Sequence, residues 1–395
     1  MRVSVVARRH PGQATSEVID GVEVHRVGSP FNLNAIGVVR KLSAKERRVV
    51  MHTHSSSGPA LALMRLKQGM PVVAQVHGTS RSRFMPTSFT YEGMKQSFSS
   101  SRLWYYYFRE RFLWSRADRV IAVSQSVKRD LFSHYRIPGS RVNVVYNGVD
   151  TQVFHRVDGL PIDSPLRGLE GRRVVLFVGH FGPRKGIAYL IRAMEKVKRE
   201  VRDVALVCIG GIPSWLPRAD YWARLNELVE SSSLQDSVLL LDKVPNEQLP
   251  AYYSRASAFV LPSYYEAFAK VVVEAMACGT PTIISQEGGP AEAIRDGENG
   301  LLFPFGSTEQ LARCITLVLQ DDRLARKLGR NAVLTVERNL TWRKVAERVE
   351  LAYHQAFEEL PPGVHGESLD LDFSDPTDIR FGVGASSLHL RGEAG

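Results

Sequence analysis

Short β-branched runs alternate with amphipathic stretches along most of this 395-residue chain, and that alternation limits the possible folds more than any other feature. The runs are Val3–Ala7, Val22–Val27, Val49–His52, Val72–His77, Val120–Val123 and Val142–Tyr146. A loop of Asp, Gly and Pro near residues 157–170 interrupts the series. It restarts with Val174–Val178, Val204–Ile209, Val238–Leu241, Ala258–Leu261 and Pro281–Ser285. Alternating strand and helix signals predict parallel sheets covered by helices on both faces. Two such series predict an α/β chain with two doubly wound domains, 1–157 and 158–340. A last amphipathic stretch, Trp342–Glu358, has apolar residues at helical spacing and is closed by Pro361 and Pro362. It forms a separate segment, 341–359. Residues 361–395 carry six acids against two arginines, so 360–395 reads as a flexible acidic tail.

Composition excludes more than it identifies. With 44% hydrophobic and 23% charged residues, the chain is not a disordered, collagen-like or disulfide-scaffold protein. Cys208, Cys278 and Cys314 lie far apart without a C-x-x-C pair, which argues against structural zinc. No apolar run reaches the roughly 18–20 residues of a membrane span, and the start MRVSVVARRHPGQ has no secretory h-region. A cytoplasmic location is therefore expected. The net charge of +10 conceals a split. Residues 1–157 hold 24 Lys+Arg and 9 Asp+Glu, whereas 158–395 hold 27 and 32. An anionic partner for the first half follows: nucleic acid, an anionic membrane or an acidic substrate.

Two segments carry chemistry. In VVLFVGHFGPRKGIAYLIRAMEKVKRE, residues 174–200, a buried strand leads into a loop with Gly179, Gly182 and Gly186, then into a helix. Glycines let a ligand approach the backbone, the helix start offers unpaired N–H groups, and Arg184 and Lys185 add charge. This is a phosphate site, or an ordinary βα turn with solvated basic residues. No G-x-x-x-x-G-K-[ST] loop is present. In residues 261–304, Glu266 and Glu274 lie eight positions apart. A helix over Ala267–Met276 with Glu266 at its cap would put both carboxylates on one face, two turns apart. Carboxylates accept hydrogen bonds from sugar hydroxyls; two solvated glutamates on a surface helix would read the same way.

The surrounding residues resemble the family 4 glycosyltransferases, retaining GT-B enzymes that use nucleotide sugars. The likeness lies in Pro262-Ser263, Glu266, Glu274-Ala275-Met276-Ala277, Cys278-Gly279-Thr280-Pro281, Gly288-Gly289, Glu292, Asp296-Gly297 and Asn299-Gly300-Leu301-Leu302. It extends to Val178-Gly179, Lys185-Gly186, Ala117–Ser124 and Asn147-Gly148-Val149-Asp150 with Phe154, and covers roughly residues 1–358.

The resemblance implies two Rossmann-like domains with a cleft between them. Residues 1–157 would take the acceptor and 158–340 the nucleotide-sugar donor, and 341–359 would cross back to the first domain. Lys185 matches the lysine that binds the donor diphosphate. Where the family usually has Arg, this chain has His180, and Arg184 could supply the missing cation. Glu274 matches the ribose ligand and Glu266 the donor-sugar contact. Ala267, Phe268 and Ala269 replace the usual G-F-G, whose backbone amides bind. His77 matches the family histidine near the donor sugar. His52 and His54 look like its strand-end H-x-H, with His54 facing the acceptor side. No metal and no cofactor beyond the co-substrate are implied, and Asp370-x-Asp372 in the tail is a metal-site decoy. The resemblance implies retention by front-face attack, in which the leaving phosphate assists deprotonation; no hydrolase-type carboxylate dyad is evident.

Family members begin with a strand, a glycine loop and a helix. Here Met1–Arg9 matches the second strand and Ile19–Val27 the third, so the first βα unit is expected to be missing. Either the recorded start lies too late or the chain is truncated. Within the basic half, RLWYYYFRERFLWSRADR (102–119) interleaves aromatics and arginines. It reads as a core-packed helix with a solvated basic face, as a membrane-surface helix, or least well as a nucleic-acid platform. A lipid-linked or acidic glycan acceptor at the inner face of the cell membrane, with no nucleic acid, fits the charge. A non-catalytic nucleotide-sugar-binding protein and a GT-B-fold nucleotide-sugar epimerase are the rival functions.

Overall fold

The computed structural model describes residues 2–29, 31–44, 49–54, 70–80, 88–91, 94–97, 100–161, 164–213 and 218–357. The tail at 360–395, with Asp370 and Asp372, lies outside them.

The first strands are β1 (Ser4–Arg8), β2 (Ser16–Ile19) and β3 (Val22–Val27), in the order β1-β3-β2. Ile19–Val27 was expected to be one strand. Instead Asp20 and Gly21 take φ of 50° and 79° and fold it into a hairpin. Positive φ at both central residues is what a tight hairpin turn requires, and Asp-Gly supplies it. After helix α1 (Phe31–Ser43) a separate parallel sheet begins, β4 (Met51–His54), β5 (Val72–Val76), β8 (Arg119–Ala122) and β9 (Val142–Val144), in that order. An antiparallel hairpin, β6 (Ser88–Tyr91) with β7 (Met94–Ser97), and helix α2 (Ser100–Arg116) lie between β5 and β8. Helix α3 (Gln125–Ser133) joins β8 to β9. The N-terminal half thus holds two main sheets where one was expected; among the described residues β1 does not pair with β4.

The C-terminal sheet follows the expected strands closely: β10 (Arg173–Val178), β11 (Val204–Ile209), β12 (Val238–Leu241), β13 (Ala258–Leu261), β14 (Thr282–Ser285) and β15 (Leu301–Phe303). All pairings are parallel, in the order β12-β11-β10-β13-β14-β15. The connections are α4 (Ile187–Glu200), α5 (Arg218–Ser231), α6 (Leu249–Arg255) and α7 (Lys270–Ala277); α8 (Thr308–Gln320) and α9 (Asp322–Asn339) follow β15. Strand order reverses between β10 and β13, and that switch point opens a crevice beyond their carboxyl ends, where ligands bind in such sheets. Val174–Phe177 and Ala258–Leu261 are buried throughout, as a sheet covered on both faces demands.

Helix α10 (Trp342–Phe357) leaves the C-terminal half and lies on β5 and β8. Val345 and Ala352 pack with Val73, Ile121 and Val145 in one buried cluster. The crossing is tight at Gly148, where a Cβ would stand 2.9 Å from the Trp342 nitrogen and 3.0 Å from the Thr341 carbonyl carbon. On α2, Leu113 and Trp114 are buried while Trp104, Tyr105 and Phe108 are about 60% exposed. The helix is packed on the core as expected, but its outer face carries these aromatic rings as well as arginines. Among the described residues no helix is long and apolar enough to cross a membrane.

Gly148→Ala should lower unfolding free energy by about 1–3 kcal/mol, because the opposing atoms are backbone and must shift. Gly37→Ala is the contrasting case. This helical, exposed glycine has no atom within 4 Å of a new Cβ, so the change should raise stability by about 0.5–1 kcal/mol. Denaturant melts of the two variants check both signs.

Candidate active site

The loop after β10 turns at Gly179 (φ 154°) and rises through a short 3-10 turn, Pro183–Lys185, into α4. Gly186 takes φ 71°, and a Cβ there would sit 1.9 Å from the Pro262 carbonyl oxygen. Only glycine lets this turn lie against the loop that follows β13. Tyr264 N–H donates to the Arg184 carbonyl at 2.8 Å and fastens the two loops together. Across that seam Lys185 Nζ meets Glu266 Oε1 at 2.8 Å, both side chains nearly buried. Burial alone would raise the Glu266 carboxyl; the charges of Lys185 and Arg184 outweigh it and hold the carboxyl below its ordinary range.

His180 is half-buried, and its pKa is lowered first by burial and then by Lys185. It is therefore neutral near pH 7 and does not replace an arginine's charge. Cationic charge at this loop rests on Lys185 and Arg184.

Glu266 does not cap a helix. α7 begins at Lys270, with Ala269 at its N-cap, and residues 262–269 form a loop. The loop is kept from winding into the helix by Gly288-Gly289. Gly289 N–H donates to the Glu266 carbonyl at 2.8 Å, and a Cβ on Gly289 would lie 1.9 Å from the Ala267 carbonyl oxygen. Backbone N–H groups of Ala267, Phe268 and Ala269 donate to nothing among the described residues. Glu274 stands within α7. Its carboxyl is raised by burial and accepts from Tyr253 OH at 3.1 Å.

On the opposite wall, His54 Nδ1 lies 2.8 Å from His77 Nε2, with the rings stacked at 5.1 Å. His52 stacks on His54 at 4.9 Å, and its Nδ1 bonds Tyr353 OH of α10 at 2.7 Å. The H-x-H and His77, read separately in the sequence, thus form one file of three imidazoles. Only one proton fits between His54 Nδ1 and His77 Nε2. Burial pushes His52 down to about 4, helped by His54 and His77, and burial lowers His54 as well. The two walls touch: a Cβ at Gly78, next to His77, would lie 3.3 Å from Cβ of Ala267. Phe268 packs on Tyr146, with ring centroids 5.9 Å apart.

Glu292 has a role that the sequence did not disclose. Its carboxylate accepts from Gln125 N–H and Ser126 N–H, each at 2.7 Å, while Ser124 Oγ accepts from Val127 N–H. A residue of the C-terminal half thereby completes the cap of α3 in the N-terminal half. No spacing within 286–295 marks this, because the partner is backbone 167 residues away.

Comparison with known proteins agrees with this geometry. The family profile described as Glycosyltransferase Family 4 matches residues 1–153, and that described as Glycosyl transferases group 1 matches residues 163–334. A D-inositol 3-phosphate glycosyltransferase of Thermobispora bispora is 31% identical over 374 residues, covering 89% of this chain and 82% of that protein. The chain belongs to the family 4 glycosyltransferases. Two solved structures show the GT-B fold. Sucrose-phosphate synthase from Thermosynechococcus elongatus superposes with a TM-score of 0.72 at 24% identity, covering 90% of this chain and 89% of that one. HepE of Anabaena in complex with UDP superposes with a TM-score of 0.67 at 20% identity, covering 90% and 100%; it has also been solved with UDP-glucose. This glycosyltransferase is therefore an enzyme.

Unfolded, His52 takes up a proton near its ordinary pKa; folded, it resists protonation down to about pH 4. Stability is therefore full above about pH 6.5 and falls as pH drops toward 4, by up to about 3 kcal/mol from this residue. His52→Gln should flatten that slope in melts taken from pH 7 to pH 4.

Proposed function

We propose that this glycosyltransferase moves a hexosyl group from a nucleotide-sugar donor to an acidic acceptor, with retention at the anomeric carbon and without a metal ion. The buried Lys185–Glu266 pair at the switch point is the observation that carries this reading. As the bond from the anomeric carbon to the phosphate oxygen breaks, negative charge grows on the diphosphate. Lys185, Arg184, the start of α4 and the free N–H groups of residues 267–269 are the groups to receive it. The acceptor oxygen attacks from the same face, and its proton passes to the departing phosphate. A carboxyl held ionised, like that of Glu266, is a poor general acid at pH 7 and a good acceptor for sugar hydroxyls. Glu274 would bind the ribose, and His77, oriented by His54, a hydroxyl of the donor sugar.

HepE was solved with UDP and UDP-glucose, which supports a nucleoside diphosphate sugar as donor. The inositol-phosphate and sucrose-phosphate enzymes both carry a phosphate in their names. Together with the excess of 24 Lys+Arg over 9 Asp+Glu in residues 1–157, this supports an acidic acceptor on the N-terminal half. A panel of nucleotide sugars should contain one that raises the melting temperature, and Glu274→Ala should abolish that rise. Lys185→Ala should lower kcat by about 10²–10³-fold, and EDTA should leave the wild-type rate unchanged. Transfer that needs an added divalent ion, or full activity in Lys185→Ala, would overturn this mechanism.

The exposed aromatic face of α2 supports peripheral attachment to an anionic membrane at the cytoplasmic face. Trp104, Tyr105 and Phe108 project outward, and the Arg109 guanidinium lies over the Tyr105 and Tyr106 rings at 5.8 and 5.1 Å. Aromatic rings with cations beside them suit the headgroup boundary. Flotation on phosphatidylglycerol vesicles at low salt should recover the protein, and Trp104→Ser with Phe108→Ser should cut recovery at least fivefold. Equal recovery of both proteins would argue against attachment through α2.

A further inference from the structure

A second cavity, of about 790 Å³, opens at the far end of the C-terminal sheet from the cleft. Arg173 is the first residue of β10, Ser257 precedes β13 and Pro281 precedes β14, so the cavity lies at the amino ends of these strands. The cleft lies at their carboxyl ends, about 13–20 Å away at 3.3 Å per residue. Its walls are apolar: Val318 and Leu319 of α8, Val333 of α9, and the Cys278-Gly279 turn after α7.

The remaining lining is mostly cationic. Arg156, Arg173, Arg323, Arg326 and Arg330 line the cavity with a single acid, Asp322. Arg173 is engaged, with Nε 3.6 Å from Asp203. The guanidinium groups of the other four have no ion-pair or hydrogen-bond partner among the described residues. Three of them, Arg323, Arg326 and Arg330, follow the i, i+3, i+7 spacing of one face of α9. Other helices of this chain pair such arginines one turn away, as in Arg199–Glu195, Arg313–Glu309 and Arg343–Glu347. On α9 like charges gather instead, an arrangement that is mildly destabilising unless an anion sits among them. The start of α9 plays no part in this, because Asp321 already accepts from Arg323 N–H and Leu324 N–H.

We propose that this cavity is a second binding site, for a compact phosphorylated small molecule. Its phosphate would lie among Arg156, Arg326 and Arg330, and its body would rest on Ala325 and Val333, the partly exposed apolar residues of the lining. Guanidinium groups match phosphate oxygens two at a time.

Titration calorimetry with inorganic pyrophosphate tests the site in the full-length protein. The double variant Arg326→Glu with Arg330→Glu should bind one pyrophosphate fewer per chain than the wild type. It should melt no lower than the wild type, since the change relieves like-charge repulsion, and should keep the wild-type response to nucleotide sugars, whose cleft lies at the other end of the sheet. A second pair, Arg156→Ala with Arg323→Ala, should weaken the same event at least threefold. A hexose phosphate that displaces the pyrophosphate supports a soluble ligand; displacement only by vesicles containing phosphatidic acid overturns it in favour of a lipid headgroup. Wild-type stoichiometry and affinity in both double variants would overturn the site altogether.

Discussion

The cleft of this glycosyltransferase depends on a helix cap that crosses it. A helix start leaves backbone N–H groups without partners, and a carboxylate there typically contributes about 0.3–1 kcal/mol, up to about 2 when partly buried. In α3 the first two of these donors belong to Glu292, from the other half of the chain. The cap sets how near the two walls come. Gly289 then lies so close that a Cβ would stand 2.8 Å from Ser124 Cβ, and Ala267 and Phe268 pack against the N-terminal core. The imidazole file and the Lys185–Glu266 loop face each other because this contact holds.

Within that frame the Lys185–Glu266 pair is better understood as preorganisation than as stabilisation. Taking two charges out of water costs several kcal/mol per ion, which their attraction repays only with good geometry, whereas removing one partner strands the other. Such a pair persists where something else uses the charge. Here both charges stand at the one point in the sheet where strand order reverses, and the loops that carry them are locked by Tyr264 and Gly289. A ligand arriving there meets fixed charges and need not order them.

Much of this could be read from the sequence, for physical reasons. Strands β10, β11 and β13 are apolar on both faces, so their position was evident to within a residue. The Asp20-Gly21 pair marks a turn before the run Val22–Val27, and matching Ile19–Val27 to a single family strand passes over it. The start of α7 was misplaced because residues 267–269 are good helix formers; what unwinds them is Gly289, twenty residues further on. The role of Glu292 and the gathering of Arg156 with Arg326 depend on segments far apart in sequence, which no local spacing encodes. His180 was identified as a departure from the usual arginine, but its neutrality follows from burial, which only the fold decides.

The Gly288-Gly289 crossing also bears on how such an enzyme can be altered. A Cβ on Gly288 would stand 2.5 Å from the Glu266 carbonyl oxygen, and one on Gly289 still nearer the next carbonyl. Neither position can therefore diversify without moving the loop that holds the pair. Any library built to change sugar preference should leave both glycines fixed and hold Ala267 and Ala269 to small residues. Ala269 is buried in the C-terminal core and Ala267 packs against the N-terminal one, so change at this loop is confined to small side chains and is closed at its crossing.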